Sequence, residues 1–362
     1  MGRIRMKVLH IAETAKGGVG TVINDLLNMD GVDSFALLPK QHVEKKFHEF
    51  GNKIHLFNRT GRNLFSFINL IIATRNLLKE INPDVIHLHS TFAGLLVRLY
   101  LLMKKDDGNI KIIYTPHAFS FIMDISIGKK YIFSLIERFF IKRTDKVICN
   151  SYYEFLTAVR YKLDSNKMTV IYNGVEVEGD VIKKSNEDTS TNVLFVGRFD
   201  YQKGYDYLKD VIDLTNSKAN KNIKFDIVGD FVREEGEKSF SDNVTYHGWL
   251  AQDKVTELMR KSDVLLVTSR WESFGLVAIE AQSNGLAVIA FNCTALPEVV
   301  LNESPSNLFE LNNTEAVANY LLENKKQFWL KDYRKRINFV SDNFSLKVML
   351  EKYRAEYFEG KK

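Results

Sequence analysis

The 362-residue chain contains only two cysteines, Cys149 and Cys293, far apart and each in an apolar setting. That excludes a disulfide framework and a thiolate zinc site, and it is the pattern of buried thiols in a reducing compartment. No run of about 18 apolar residues occurs, so no transmembrane helix is expected. The first residues, Met1-Gly2-Arg3-Ile4-Arg5, lead straight into a strand-like run and carry no secretory signal pattern. Met6 breaks the myristoylation pattern. No Asp-x-Asp pair is present, although enzymes that hold a nucleotide diphosphate through a divalent ion commonly need close acids. No metal is therefore expected. Charge is also nearly balanced, 50 Lys+Arg against 45 Asp+Glu for a net +5, so charge alone names no partner. There is no short-period repeat and no low-complexity tract.

What is present describes a globular protein of two domains, 45% hydrophobic and 26% charged. Apolar runs at Val8–Ala12, Ser34–Leu38, Ile54–Phe57, Val85–His89, Ile110–Tyr114 and Val147–Cys149 alternate with helical patterns at Val19–Asn28, Phe65–Ile81, Thr91–Met103 and Tyr131–Arg143. The second half repeats the plan. Its strands are expected at Val193–Val196, Lys224–Val228, Val244–Tyr246, Val264–Val267, Ala287–Ile289 and Leu308–Phe309, with helices including Gly204–Leu214, Lys254–Arg260 and Phe274–Asn284. Such alternation predicts an α/β chain with two doubly wound parallel sheets and a cleft between them. The turn signal Asn173-Gly174 sets the boundary, giving domains 1–172 and 173–344. The polar segment Lys183–Asn192 is expected to be an exposed loop. Ser345–Gly360 is expected to be an amphipathic helix.

The most informative stretch is Trp271-Glu272-Ser273-Phe274-Gly275-Leu276-Val277-Ala278-Ile279-Glu280, between two apolar strands. Its strand–turn–helix–strand context is one that binds ligands at strand ends and helix N-termini. Read as one helix, it sets Glu272 and Glu280 about 12 Å apart along the axis. Glycosidase carboxyl pairs lie closer than about 10 Å, so these acids do not make one. Each suits a hydroxyl acceptor instead, one for a sugar and one for a ribose, with the Ser273, Phe274 and Gly275 amides completing the grip. An ordinary amphipathic helix would account for Glu280 better than for Glu272.

Gly197-Arg198-Phe199-Asp200-Tyr201-Gln202-Lys203-Gly204 follows the first strand of the second half. A guanidinium fork, a mobile ammonium and a helix start converge there, which suits a diphosphate that gains charge as it leaves. Two surface cations on a loop are the plainer reading. Lys16-Gly17-Gly18-Val19-Gly20 opens a helix after the first strand, but its spacing is not the dinucleotide fingerprint, and it is otherwise a tight turn. His117, after Pro116 at a strand end, is placed to serve a substrate hydroxyl or developing charge, or else is a structural histidine near a sheet edge. His89 reaches the strand end, whereas His87 is expected to be structural; with no acid or thiol beside them a metal is not expected there.

Taken together, Gly17-Gly18, Thr115-Pro116-His117, Ile171-Tyr172-Asn173-Gly174-Val175, Gly197-Arg198 with Lys203-Gly204, Ile227-Val228-Gly229-Asp230 and the Glu272-to-Glu280 stretch resemble the retaining family-4 glycosyltransferases of GT-B fold. The resemblance spans Lys7 to about Val300. It implies two Rossmann-like domains facing across a cleft, with Ser345–Gly360 (345–362 to the end) crossing back to the first. By the same resemblance, Arg198 and Lys203 bind the donor diphosphate, Glu272 the transferred sugar and Glu280 the ribose. His117 sits beside the donor sugar and assists its transition state. Gly17 and Gly18 approach phosphate and acceptor, Gly248 lies by the base, and Ser273, Phe274, Gly275 and Leu276 complete the donor site. The family often has Pro where this chain has Tyr172 and Ala287.

The segments His89–Leu96 and Tyr114–Phe121 are similar to those of bacterial capsule, O-antigen and exopolysaccharide enzymes. This implies a nucleotide-sugar donor, UDP-linked by that resemblance, and a polyprenyl-diphosphate-linked or oligosaccharide acceptor. It implies no metal or other cofactor and no nucleic acid. Aromatics interleaved with Arg59, Arg62, Lys129, Lys130, Lys142 and Arg143 are consistent with an anionic membrane surface at the inner face of the cell membrane. A helix with one core face and one solvated face would read the same way. A GT-B phosphorylase or epimerase, and a non-catalytic nucleotide-sugar-binding assembly protein, are the alternatives.

Overall fold

The computed structural model describes residues 6–104, 110–177, 190–218, 222–232, 241–304 and 306–360. The chain divides into two compact units, Met1–Asn173 with Leu346–Lys362, and Gly174–Ser345. Most of the polar segment Lys183–Asn192 lies outside the described residues; its last two residues, Thr191 and Asn192, begin a strand.

The first unit holds β1 (Met6–Ala12), β2 (Val32–Pro39), β3 (Ile54–Phe57), β4 (Val85–His89), β5 (Lys111–Thr115), β6 (Lys146–Cys149) and β7 (Met168–Val170). All pair in parallel, in the order β3-β2-β1-β4-β5-β6-β7. Its helices are α1 (Gly18–Leu27), α2 (Leu64–Ile81), α3 (Thr91–Met103), α4 (Ile127–Phe140) and α5 (Tyr152–Arg160). From β1 the chain steps toward the β3 edge, then crosses back to β4 and proceeds to β7. Right-handed crossovers therefore set α1 on one face of the sheet and α2, α3 and α4 on the other. In agreement, α2 packs on α3 and α3 on α4. Alternate side chains of β1 and β4 follow suit: Leu9, Ile11, Ile86 and Leu88 enter the main apolar core, while His10, His87 and His89 turn to the opposite face.

The second unit contains β8 (Thr191–Val196), β9 (Ile223–Val228), β10 (Val244–Gly248), β11 (Val264–Val267), β12 (Ala287–Phe291) and β13 (Leu308–Phe309), parallel in the order β10-β9-β8-β11-β12-β13. β11 and β12 are buried along their whole length, as expected of central strands covered on both faces. Its helices are α6 (Tyr205–Ser217), α7 (Gln252–Lys261), α8 (Leu276–Ser283), α9 (Leu296–Val299), α10 (Thr314–Glu323), α11 (Lys326–Leu330) and α12 (Tyr333–Asn343). A final helix, α13 (Leu346–Phe358), belongs to the first unit, where it packs beside α1 and buries Met349, Tyr353 and Tyr357.

Several boundaries differ from the sequence reading. α8 begins at Leu276, not Phe274, because Gly275 sits at φ 102°, outside helical space, and Phe274 is drawn into the core against Phe344. Glu272 is therefore on a loop, and the 12 Å separation along one helix does not describe the two glutamates. α4 begins four residues earlier than expected and ends in a 3-10 turn over Ile141–Arg143. Among the described residues no helix is long and apolar enough to cross a membrane. Both thiols are free; Cys149 is buried on β6, but Cys293 lies just past β12 and not in a strand.

Candidate functional site

Each sheet reverses its strand order once, between β1 and β4 in the first unit and between β8 and β11 in the second. At such a reversal the neighbouring loops diverge to opposite faces and leave a crevice at the strand carboxyl ends. In the second unit these are the loops Gly197–Gly204 and Thr268–Gly275, which carry Arg198, Lys203, Glu272, Ser273, Phe274 and Gly275 of the expected site. Topology brings these two loops to the same end of the sheet.

The two loops are fastened together. Gly204 precedes α6 at φ 63°, and a side chain there would run into the Thr268 carbonyl. The Thr268 hydroxyl donates to the Lys203 carbonyl at 2.9 Å, and the Arg270 amide to the Gln202 carbonyl at 2.8 Å. The Arg270 guanidinium lies between the Tyr201 and Tyr207 rings, 3.9 Å from each centroid. It also grips both carboxylate oxygens of Asp206, at 2.7 and 2.5 Å. Planar stacking with a two-pronged carboxylate contact is work a lysine would not do. Arg270 is a positioning residue that the sequence reading missed; its place directly before Trp271-Glu272 was the available signal.

Within this frame the Lys203 ammonium meets Glu272 Oε1 at 2.5 Å. The same oxygen accepts from the Ser269 hydroxyl at 2.7 Å, and the Glu272 amide donates to Thr294 Oγ1 at 2.8 Å. Glu272 is only 6% exposed. Arg198, 44% exposed at its side chain, reaches Asp200 at 2.8 Å and Gln202 at 2.9 Å. The expected convergence of positive charge is thus compensated: Arg198 has Asp200, Lys203 has Glu272, and Arg270, the third cation of these loops, has Asp206 of α6. A diphosphate entering here would compete with Asp200 and Glu272 for the cations. Beside them, the thiol of Cys293 donates to the Ser269 carbonyl, and its pKa is pushed up to about 12, by burial first and by the Glu272 charge second.

The other expected donor residues lie around this centre in different ways. Ser273 is half-buried, Phe274 offers only its backbone, and Gly275 and Leu276 open α8. Glu280 is half-buried in the second turn of α8. Gly248 ends β10 at φ 63° with open space above it, next to Trp249, whose side chain is exposed.

The first unit gathers its own set. Gly17 and Gly18 are exposed at the start of α1, with nothing within 4 Å of the place a Gly17 side chain would take. His117 follows β5 in the left-handed region, φ 54°, and Ala118 continues at φ 120°. The buried Glu154 holds this strained turn: one of its oxygens accepts from the Ala118 and Phe119 amides, both at 3.1 Å, and the other from the Asn150 amide at 2.8 Å. Both ring nitrogens of His117 are taken. Nε2 meets His89 Nδ1 at 3.0 Å and Nδ1 meets the Asn150 side-chain nitrogen at 3.1 Å, so the ring is fixed rather than free to turn to a ligand. The chain continues through His89 Nε2 to His10 Nδ1 at 3.1 Å. Beside it His87 bridges Tyr357 of α13 and Thr115, both at 2.8 Å. Burial holds the His10 and His117 pKa values down to about 3, and those of His87 and His89 well below the ordinary value, so all four rings are neutral. His89 is fully buried and does not open at the strand end as expected.

Two Rossmann-like parallel sheets, with loops at their switch points, define a GT-B class protein. Residues 17–178 match the family model for Glycosyltransferase Family 4, and residues 178–339 that for Glycosyl transferases group 1. An uncharacterized 41.2 kDa protein in the cps region of Klebsiella pneumoniae is 41% identical over 357 residues, covering 96% of this chain and 98% of that one. The uncharacterized glycosyltransferase MJ1178 of Methanocaldococcus jannaschii is 30% identical, over 86% of this chain and 89% of that protein. The UDP-Gal:alpha-D-GlcNAc-diphosphoundecaprenol alpha-1,3-galactosyltransferase of Escherichia coli is 27% identical, over 72% and 71%. Among solved structures, the sucrose-phosphate synthase of Thermosynechococcus elongatus superposes with a TM-score of 0.78 at 18% identity, covering 98% of both chains. Anabaena HepE with UDP and glucose gives 0.77 at 16% identity, covering 98% of this chain and all of that one. The chain belongs to the family-4 glycosyltransferases, and it is an enzyme.

Proposed function

We propose that this enzyme is a retaining glycosyltransferase that moves a sugar from a UDP-sugar to a lipid-linked saccharide in the synthesis of a bacterial surface polysaccharide, without a metal ion. The observation that carries this reading is the Lys203–Glu272 pair held at the β8/β11 switch point. Cleaving the bond to a diphosphate builds negative charge on the leaving phosphate and positive charge on the sugar ring. In this reading Lys203 and Arg198 take the diphosphate, with the Ser273-to-Leu276 amides and the α8 N-terminus. Glu272, released from Lys203, accepts a sugar hydroxyl. Glu280 accepts from the ribose and Gly248 leaves room for the base. By the family resemblance, Gly17 and Gly18 are assigned to phosphate and acceptor and His117 to the donor sugar. Retention then follows from attack on the face the phosphate leaves, with that phosphate as base, so no protein nucleophile is required. The cps-region relative and the diphosphoundecaprenol-dependent relative support the pathway and the acceptor class. The test is transfer from a panel of UDP-sugars to an undecaprenyl-diphosphate-linked sugar in EDTA, with the product anomer read by NMR. Turnover with retained configuration is expected; its loss in EDTA or an inverted product would reject the reading.

The same reading sets the enzyme on an anionic membrane face. α4 exposes Ile127, Tyr131, Leu135 and Phe139, each 56 to 65% exposed and four residues apart, so they form one outward stripe. Exposed Lys129, Arg138, Lys142 and Arg143 accompany it. This is the arrangement of an interfacial helix, apolar residues below and cations at head-group level. Co-sedimentation with anionic vesicles is expected at low salt, weakened by salt and by Leu135→Asp with Phe139→Asp. Equal recovery of wild type and variant in the pellet would remove the surface assignment.

A further inference from the structure

A second polar cluster lies at the carboxyl end of β1, away from the histidines. Glu13, 2% exposed, accepts from Arg59 at 2.8 and 2.5 Å through one oxygen, and the same oxygen lies 3.5 Å from Arg62 Nε. Its other oxygen is buried and has no partner among the described residues. Arg59 also reaches His42 Nε2 at 3.3 Å, and His42 Nδ1 meets the Thr14 hydroxyl at 3.2 Å. Arg62, half-exposed, rests on the Phe92 ring at 4.6 Å. Lys16 is exposed next to Gly17. The His42 pKa is lowered to about 4, by burial first and then by the charges of Arg59 and Lys16, so these cations are felt at one place. Arg59 and Arg62 thus face one carboxylate, and Lys16 stands exposed three residues further along the same loop.

Immediately beyond Arg62 the surface changes character. Leu64, Phe65, Ile68 and Ile72 of α2 are 74, 59, 48 and 54% exposed. Phe65, Ile68 and Ile72 recur at helical spacing, so they form a stripe along the outer side of α2. A surplus of cations at the head of an uncovered apolar stripe matches a molecule with an anionic head and a long apolar tail.

We infer that Lys16, Arg59 and Arg62 form the binding site for the phosphate or diphosphate head of an amphipathic acceptor, with its apolar chain laid along Leu64, Phe65, Ile68 and Ile72. The inference rests on the reading above and adds the place of the acceptor's head. When Arg62 turns to the phosphate, the unpartnered Glu13 oxygen is satisfied by a hydroxyl of the sugar next to that phosphate. Arg59 stays with Glu13 and supplies its remaining N–H.

Binding to the full chain separates the possible sources of the phosphate. The probes are farnesyl diphosphate, inorganic pyrophosphate, farnesol, and anionic vesicles without diphosphate lipid, with far-UV circular dichroism as the check of folding and UDP binding measured in parallel. Farnesyl diphosphate is expected to bind at least about tenfold tighter than pyrophosphate, and farnesol not to bind. Arg62→Ala with Lys16→Ala is expected to weaken farnesyl diphosphate binding about 10- to 100-fold, a loss of roughly one or two charge-assisted contacts. Ile68→Asn should weaken farnesyl diphosphate and leave pyrophosphate unchanged. Equal affinity for the two diphosphates, unchanged binding in the double variant, or full displacement by the vesicles would each overturn the inference. Loss of UDP binding in a wild-type protein that still binds farnesyl diphosphate would sink the donor reading and leave this one standing.

Discussion

Lys203→Ala is expected to lower kcat/KM for sugar transfer by about 10² to 10³, the usual cost of removing one preorganised group that stabilises leaving-group charge. The geometry gives the variant a second penalty. Glu272 now carries a charge that is 92% covered, with the Ser269 hydroxyl as the hydrogen-bond donor left on its side chain among the described residues. Taking away one partner of a covered ion pair leaves the other charge uncompensated, and the fold suffers as well as the reaction. The two effects separate in a double-mutant cycle. Glu272→Ala alone should lose activity with a smaller drop in melting temperature, because an ammonium on a flexible stem can turn to water. Combining the two changes should restore much of the melting temperature lost in Lys203→Ala while restoring no activity. If the single lysine variant keeps kcat/KM within about threefold, the diphosphate is not held by this pair.

The path from sequence to this pair shows what was legible. Strand positions were readable because buried parallel strands are continuous apolar runs, as at Val264–Val267, and β11 begins and ends where expected. That Arg198, Lys203 and Glu272 serve one donor came from the family resemblance; residue spacing joined only Arg198 and Lys203 to a helix start. Charge compensation was not readable. That Asp200 would fold back on Arg198, and Glu272 on Lys203, depends on loop geometry set by Gly204 and Gly275, and a linear pattern does not contain it. The short β7 and α5 were missed because Met168–Val170 carries little periodicity. Yet α5 announces itself through Ser151 and Glu154: the serine hydroxyl accepts from the Glu154 amide at 3.1 Å, as in a capping box. The same Glu154 then serves the His117 turn, a tertiary role its place on α5 does not reveal. The histidine chain was half legible. The i, i+2 spacing of His87 and His89 put them on one face of β4, but only the pairing of His10 with His87 in the β1/β4 register brings in a third ring.

That chain makes the first unit acid-labile. His10, His87 and His89 are fully buried and neutral, with pKa values below the ordinary 6.5. Their polar partners are Tyr357, Thr115, His117 and one another. Once unfolded, each ring takes up a proton near pH 6.5, so the unfolded chain binds more protons below that value. The stability these residues contribute is therefore complete above pH 6.5 and falls as the pH drops toward the folded values. At pH 5 the loss for His10, held down to about 3, is about 2 kcal/mol, and His87 and His89 add to it in the same direction. That is already a sizeable part of the stability of an ordinary domain, about 5 to 15 kcal/mol. Ordinary carboxylates take up protons at lower pH; in this unit burial raises Glu356 toward the same window. The chain contains its own reporter for the difference. Seven of its eight histidines lie in the first unit, whereas Trp249, Trp271 and Trp329, its three tryptophans, all lie in the second. On lowering the pH from 7 to 4.5, far-UV circular dichroism is expected to lose helix and sheet signal before tryptophan fluorescence changes. His89→Gln, which keeps a polar group but cannot charge, should make the first transition shallower by about one proton. A single transition seen alike by both probes, or a slope untouched by His89→Gln, would show that the buried rings do not set acid stability.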